Sequence, residues 1–338
     1  MNSLIAGDIA PFSRIPGWLL TLACIIALVY SGPAWCGSRY ANGFDLQGAL
    51  VPQDEIVNGG PPRDGIPALI APRFVTASEA TFLRSDDRVL GVLLNGVAKA
   101  YPERILIWHE IVNDEFNGEP LVVSFCPLCG TGAAHSASVD GKRLTFGVSG
   151  LLYNSNLLLY DKQTQSLWSQ MLGKAISGPL KGAALKDFPI THTTWQAWQK
   201  EHPRTVVLSS HTGYQLGYGI NPYSDYLTNA VVMFRVRQES HRFHPKEWVL
   251  GVEANGTYKA YPFTELANAG NVVRDRVGGR LVEIRLDSAS WSAQAVSDGN
   301  RTRPRRPTGS PGSLSTHAPT LTKPRRPPEG SDLPIEDR

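Results

Sequence analysis

Cys126 and Cys129 stand two residues apart in Cys126-Pro-Leu-Cys-Gly130, directly after the apolar run Leu121 to Phe125. Three chemistries are open to two thiols at that spacing. As thiolates they grip one metal ion, with proline and glycine allowing the tight turn whose backbone N–H groups point at sulfur. As a dithiol they cycle with a disulfide or carry sulfur. As a structural pair they pin a turn. A tetrahedral metal site needs two further donors, and the chain holds no second cysteine pair. The nearest donors in sequence are His109, Glu110 and His135, so the expected ligand set is Cys126, Cys129, His109, Glu110 and His135. Soft thiolates with imidazole suit copper or zinc.

The redox alternative, in its thioredoxin form, asks for a strand that leads into Cys-x-x-Cys at a helix N-terminus. The strand fits. Gly130-Thr-Gly132 fits a helix poorly, because each glycine costs about 1 kcal/mol in a helix interior. His109 has a plainer reading too, as a capping or hydrogen-bonding residue at the core boundary of a helix over Glu103 to Ile111. It is not part of a His-Glu-x-x-His zinc motif, since position 113 is Asn113. The chain carries no Gly-rich phosphate loop and no Gly-x-Ser-x-Gly elbow. Gly130 stands where a c-type haem motif needs histidine.

The elements that must position these residues are signalled by a repeat. Val89-Leu-Gly-Val92, Asn95-Gly96 and Lys99-Ala-Tyr-Pro102 recur as Val249-Leu-Gly-Val252, Asn255-Gly256 and Lys259-Ala-Tyr-Pro262. Asn-Gly between apolar runs predicts a type I′ hairpin, and the following proline opens a helix. Each copy continues into a valine-rich turn, Val112 to Gly118 and Val273 to Gly279. The expected fold is α+β and β-rich: one large domain over 43–290 in which two hairpin-helix-hairpin units, 88–125 and 248–286, pack as a pseudo-symmetric pair. What both copies keep is scaffold. His109, Glu110 and the cysteines belong to the first copy alone, with Ala269 and Gly270 at the positions of His109 and Glu110. Thr76 with Glu79 predicts a short capped helix, and Thr193 with Gln196 predicts another over Thr194 to His202. The polar cluster Tyr153-Asn-Ser-Asn156 can line a pocket or simply serve a turn.

Residues 1–36 read as a signal peptide or signal anchor. Arg14 precedes the apolar run Trp18 to Tyr30, and small residues follow it. Thirteen residues span about 20 Å as a helix, short of the roughly 30 Å hydrocarbon core. The expected location is periplasmic or extracellular, with membrane contact only through this segment if it is uncleaved. Residues 297–338 read as a disordered Pro/Arg-rich tail, and the eight basic and five acidic residues from Asp298 onward account for the net charge of +3. The body is balanced in charge, so no nucleic acid is expected on the folded domain.

Five ordered blocks resemble the domain of unknown function 3179 family. They are Asp54-Glu-Ile56 with Gly59-Gly-Pro-Pro-Arg-Asp-Gly-Ile-Pro-Ala68, Trp108-His-Glu-Ile-Val-Asn-Asp114, Cys126-Pro-Leu-Cys-Gly-Thr-Gly132, Phe146-Gly-Val-Ser-Gly-Leu-Leu-Tyr-Asn-Ser155 and Ser166-Leu-Trp-Ser-Gln170. The resemblance spans about Phe44 to Asp287 and implies an exported or membrane-associated protein. It brings no activity and no catalytic residues. It also implies a closing segment rich in Trp, Phe and Ala, from which this chain departs after Trp291.

Overall fold

The apolar run ahead of Cys126 is buried on both faces, so it lies inside the molecule as a central strand rather than on a solvated sheet. In the computed structural model, which describes residues 39–297 and the two-residue strand Thr316–His317, twelve strands have six residues or more. We label these β1 (Arg88–Leu94), β2 (Val97–Pro102), β3 (Ile111–Phe116), β4 (Glu119–Cys126), β5 (Thr131–Ser136), β6 (Phe146–Tyr153), β7 (Asn156–Asp161), β8 (Val249–Ala254), β9 (Thr257–Pro262), β10 (Val272–Val277), β11 (Arg280–Asp287) and β12 (Ser292–Ser297). Four short helices accompany them among the described residues: α1 (Glu103–His109), α2 (Trp195–Glu201), α3 (Ser224–Thr228) and α4 (Phe263–Asn268). The expected leader over 1–36 and nearly all of the expected tail over 297–338 lie outside the described residues. No helix among those described is long and apolar enough to cross a membrane.

β3, β4 and β5 form an antiparallel meander at the centre of a five-stranded sheet, flanked by the short strands Leu69–Ile70 and Asp187–Phe188. Alternation along β4 divides its side chains between two cores. Leu121, Val123 and Phe125 pack with α1 and the sheet of β1 and β2, while Val122 and Cys126 face the sheet of β6 and β7. The β1–β2 sheet is closed by Thr191–Thr194 on one side and Val206–Leu208 on the other. On it, Trp198 of α2 sits against Gly91, where a Cβ would come within 2.3 Å of the indole ring. That close approach explains the glycine in Val89-Leu-Gly-Val92.

Two local expectations are corrected. Thr76 and Glu79 make only half of a capping box: the Thr76 N–H and hydroxyl both donate to the Glu79 carboxylate, at 2.8 and 2.7 Å, the Glu79 N–H goes to the Thr76 carbonyl instead of its hydroxyl, and the chain continues as turns with no helix. The α2 cap is Thr194, one residue later than the spacing predicts, and its hydroxyl accepts from the Ala197 N–H.

In the second half, β8 and β9, α4, and β10 and β11 follow in the order seen for β1 to β4. Val249 pairs with Pro262 as Val89 pairs with Pro102, and Val273 pairs with Ile284 as Val112 pairs with Val123. The second set closes around its own core of Leu250, Val252, Phe263, Leu266, Val282 and Ile284. Each set ties its hairpins together with one acid. Lys99 and Tyr101 both donate to Asp114, the tyrosine at 2.6 Å; Lys259 and Tyr261 both donate to Asp275. The first knot is buried, with Lys99 12% and Asp114 7% exposed, whereas Lys259 is 49% and Asp275 26% exposed. Removing one partner of a buried pair strands the other. Asp114→Ala should therefore cost about 3–5 kcal/mol, and Asp275→Ala about 1 kcal/mol, as read from urea midpoints. Equal losses would contradict the assigned asymmetry.

Candidate functional site

Cys126 ends β4 and pairs with Thr131, the first residue of β5, so Pro127 to Gly130 form a tight hairpin loop. Gly130 has φ +62°, which turns the chain straight into a strand. The thiols therefore lie on a β-hairpin turn and not at a helix N-terminus. Any activation of sulfur must come from hydrogen bonds rather than a helix dipole.

Such bonds converge on Cys129. Cys126 Sγ points to the Ser155 carbonyl at 3.9 Å, and Asn156 Nδ2 donates to Cys129 Sγ at 3.2 Å. Thr131 Oγ1 is 3.2 Å away on the other side. Asn156 is itself held by Gln170, whose Oε1 accepts at 2.7 Å and whose Nε2 donates to Ser124 Oγ and the Thr131 carbonyl at 3.1 Å. The hydrogen bond from Cys126, together with those from Thr131 and Asn156, outweighs burial and lowers the Cys129 thiol to about 6. Cys126 moves the other way. Its hydrogen bond to Cys129 and its burial hold that thiol protonated well above its ordinary range. The pair is a partly buried thiolate backed by a buried thiol.

Glu110 follows α1 directly, and its carbonyl accepts from the Phe125 N–H, so it lies beside the end of β4. Burial, reinforced by the charge of Cys129, pushes its carboxyl up to about 8, which leaves it a neutral acid at pH 7. Its backbone is at φ +56°. In the second half Asn271, at φ +71°, takes the same place: its N–H donates to the Leu266 carbonyl and its carbonyl accepts from the Leu286 N–H, as Glu110 does with Leu106 and Phe125, so the gap-free sequence offset to Gly270 shifts by one residue and the turn adopts a positive φ in both halves. A glutamate in sparsely populated backbone space costs of order 1–3 kcal/mol.

The five residues expected as metal ligands are not all drawn together. Glu110 and the two cysteines act on one another through their charges. His109 is fully buried with both ring nitrogens engaged, Nδ1 with the Pro67 carbonyl at 2.7 Å and Nε2 with the Tyr218 hydroxyl at 2.6 Å. Since the carbonyl only accepts, Nδ1 carries the proton and Nε2 accepts from Tyr218. Burial lowers the His109 pKa, consistent with this neutral tautomer. Its role here matches the plainer reading, tying α1 to the segment that crosses it. His135 lies four residues beyond Thr131 along β5, about 13 Å at strand rise, and faces Asp187 at 3.2 Å. Among the described residues no three His, Cys, Asp or Glu side chains form a group able to hold a metal ion.

Sequence reasoning missed the other wall of the site. Residues 210–248 cross it with four tyrosines: Tyr214 and Tyr218 pack on His109, Tyr223 is within reach of the charges of Glu110 and Cys126, and Tyr226 lines a cleft together with Cys129. Burial and the charge of Glu110 push Tyr223 up to about 12. Between this segment and the hairpin turn opens a cleft of about 440 Å³, with Cys129 and Thr131 on one side and Tyr226, Trp248 and Phe263 on the other. The tyrosines recur without helical or strand periodicity, so no pattern marks them.

A family model described as "Protein of unknown function (DUF3179)" matches residues 63–309, nearly three-quarters of the chain. The chain belongs to that family. Comparison with curated proteins and with solved structures gives no match. In this DUF3179 protein the matched stretch takes in both hairpin-helix-hairpin sets, the two cysteines and the tyrosine-bearing segment.

The hydrogen bonds fix what titration should show. Alkylation of Cys129 by iodoacetamide should follow a midpoint at about pH 6, with Cys126 unreactive through neutral pH. Asn156→Ala removes a donor to the thiolate and should move the midpoint up. An unchanged midpoint would remove Asn156 from the site.

Proposed function

We propose that this protein is an exported thiol–disulfide oxidoreductase, with Cys129 as the attacking sulfur and Cys126 as the resolving one. The observation that carries the reading is the asymmetry of the pair. Cys129 borders the cleft and is held as a thiolate at neutral pH, while Cys126 is buried behind it and held as a thiol. An attacking thiol serves best with a pKa near or below ambient pH. Cys129 attacks a substrate disulfide, whose S–S bond breaks and whose second sulfur leaves as a thiolate. Cys126 gives its proton to that thiolate and attacks Cys129, which releases the other substrate sulfur. The protein is left with a Cys126–Cys129 disulfide and the substrate with two thiols. An external dithiol resets the pair.

Export rests on the leader-like residues 1–36, and it places the pair where oxidation is the resting tendency. We also infer that the two hairpin-helix-hairpin sets descend from one duplicated unit, supported by their shared registers and by the Lys–Tyr–Asp knot in each. Copper or zinc on the two sulfurs is the competing use. With His109 bonded to Pro67 and Tyr218, and His135 further along β5, such a metal would need donors from outside the expected five.

An aromatic disulfide probe separates these uses. The reduced parent should release two probe thiols and keep no adduct, while Cys126→Ser should release one and retain a mixed disulfide on Cys129. Adducts on both cysteines of the parent, or about one equivalent of copper or zinc that shields both from the probe, would contradict the proposal.

A further inference from the structure

β8 reaches the cleft before Cys129 with one edge open. The Asn255-Gly256 turn makes Ala254 and Thr257 a hydrogen-bonded pair, so Val249, Gly251 and Glu253 turn their backbone N–H and C=O groups away from β9. Such an edge is a ready template for another strand. The first half shows how the same edge is closed. There Thr191–Thr194 pairs with β1 from Gly91 back to Arg88. The matching Gly251 of the second half pairs with His317, and Val252 with Thr316. Among the described residues no strand continues this pairing along Leu250 and Val249.

The uncovered stretch is the one that faces the dithiol. Val249 and Leu250 line the cleft together with Cys129 and Thr131. The backbone of Thr316–His317 also comes within 8 Å, Cα to Cα, of β5, the strand that leaves the hairpin turn. A polypeptide in the register of these two residues, continued antiparallel to β8 past Leu250 and Val249, therefore enters the cleft. Tyr226, Trp248 and Phe263 form an apolar wall there for the side chains on one of its faces. Strand addition divides the work in this way, with main-chain hydrogen bonds supplying affinity and pockets for alternate side chains supplying specificity.

Resting on the dithiol reading above, we infer that the substrate is a cystine in an extended polypeptide segment, which adds to the open edge of β8 in the place now taken by Thr316–His317 and presents its disulfide to Cys129. Residues that flank the cystine and face the wall are apolar. The chain's own Thr316–His317 competes with this substrate for Gly251 and Val252.

The test uses the reduced full chain with three probes. The first is an extended peptide whose single cysteine, flanked by apolar residues, is held as a mixed disulfide with an aromatic thiol. The second is the same peptide N-methylated at two alternate residues, and the third is the free aromatic disulfide. Cys129 attacks the peptide sulfur, the aromatic thiolate leaves and is followed by its absorbance. Cys126 then attacks Cys129, and the peptide departs as a thiol with the Cys126 proton. N-methylation removes two strand donors and should slow the peptide about tenfold or more. His317→Pro removes the strand donor opposite Gly251 and should speed the peptide more than the free aromatic disulfide. Reduction of the free aromatic disulfide with equal rates for the two peptides would overturn this inference and leave the dithiol reading standing. An unchanged peptide rate in His317→Pro would place the substrate off β8, and dimerisation of that variant without a faster rate would give the edge to a second copy; either overturns the inference. Silence with all three probes would overturn both readings.

Discussion

The hydrogen bonds of one amide hold the site together. Gln170 is fully buried and reaches Ser124 on β4, the Thr131 carbonyl on β5 and the Asn156 amide at the head of β7. It clamps the hairpin turn from behind and aims Asn156 at Cys129. A buried amide is stabilising only while its partners are in place, because an orphaned polar group costs about 1–3 kcal/mol. The sheets on either side therefore have to meet in one register. The double burial of β4 gives that register its cost of error, since a one-residue slip would move Val122, Ser124 and Cys126 to the opposite core.

Chemistry sits on this rigid base as a set of departures from the scaffold. The second half shows what a hairpin, a helix and a hairpin look like without the site: an asparagine in the turn after the helix, no cysteine, and a core closed on itself. The first half has Glu110 at that position and ends its long strand in Cys126. It also accepts a neutral carboxylic acid and a neutral imidazole in its interior. Each departure carries a cost. The tyrosines of 210–248 then separate two environments, one around His109 that is wholly hydrogen-bonded and one around Cys129 that opens toward the cleft.

Much of this was legible in the sequence. The Asn-Gly hairpins, the helices behind Pro102 and Pro262, the apolar strand into Cys126 and the poor fit of a helix after Gly130 all follow from local rules, and the structure has them. Comparison of the two copies singled out His109 and Glu110 before any coordinates. It could not say that one would be bound to Pro67 and Tyr218 and the other placed beside sulfur, because those partners lie 42 and 109 residues from His109. His135 illustrates the opposite failure. It is near the cysteines in sequence, but strand geometry carries it about 13 Å along β5. Asn156 was open to a pocket or a turn reading, since an amide that bonds to a thiolate has the same local signature as one that bonds to its own backbone, and Gln170 carried no signal of its own role. Thr76 and Glu79 interact without a helix, because two hydrogen bonds from Thr76 to one carboxylate do not offset the nucleation cost of a short helix.

The central claim is that Cys126 and Cys129 act as one two-electron couple. Equilibrating the full chain across glutathione redox buffers, then alkylating and weighing it, measures this directly. The account predicts a single transition in which both thiols disappear together into an internal disulfide. Glutathione adducts appearing independently on each cysteine, or two thiols that stay reduced at the most oxidising poise, would contradict it.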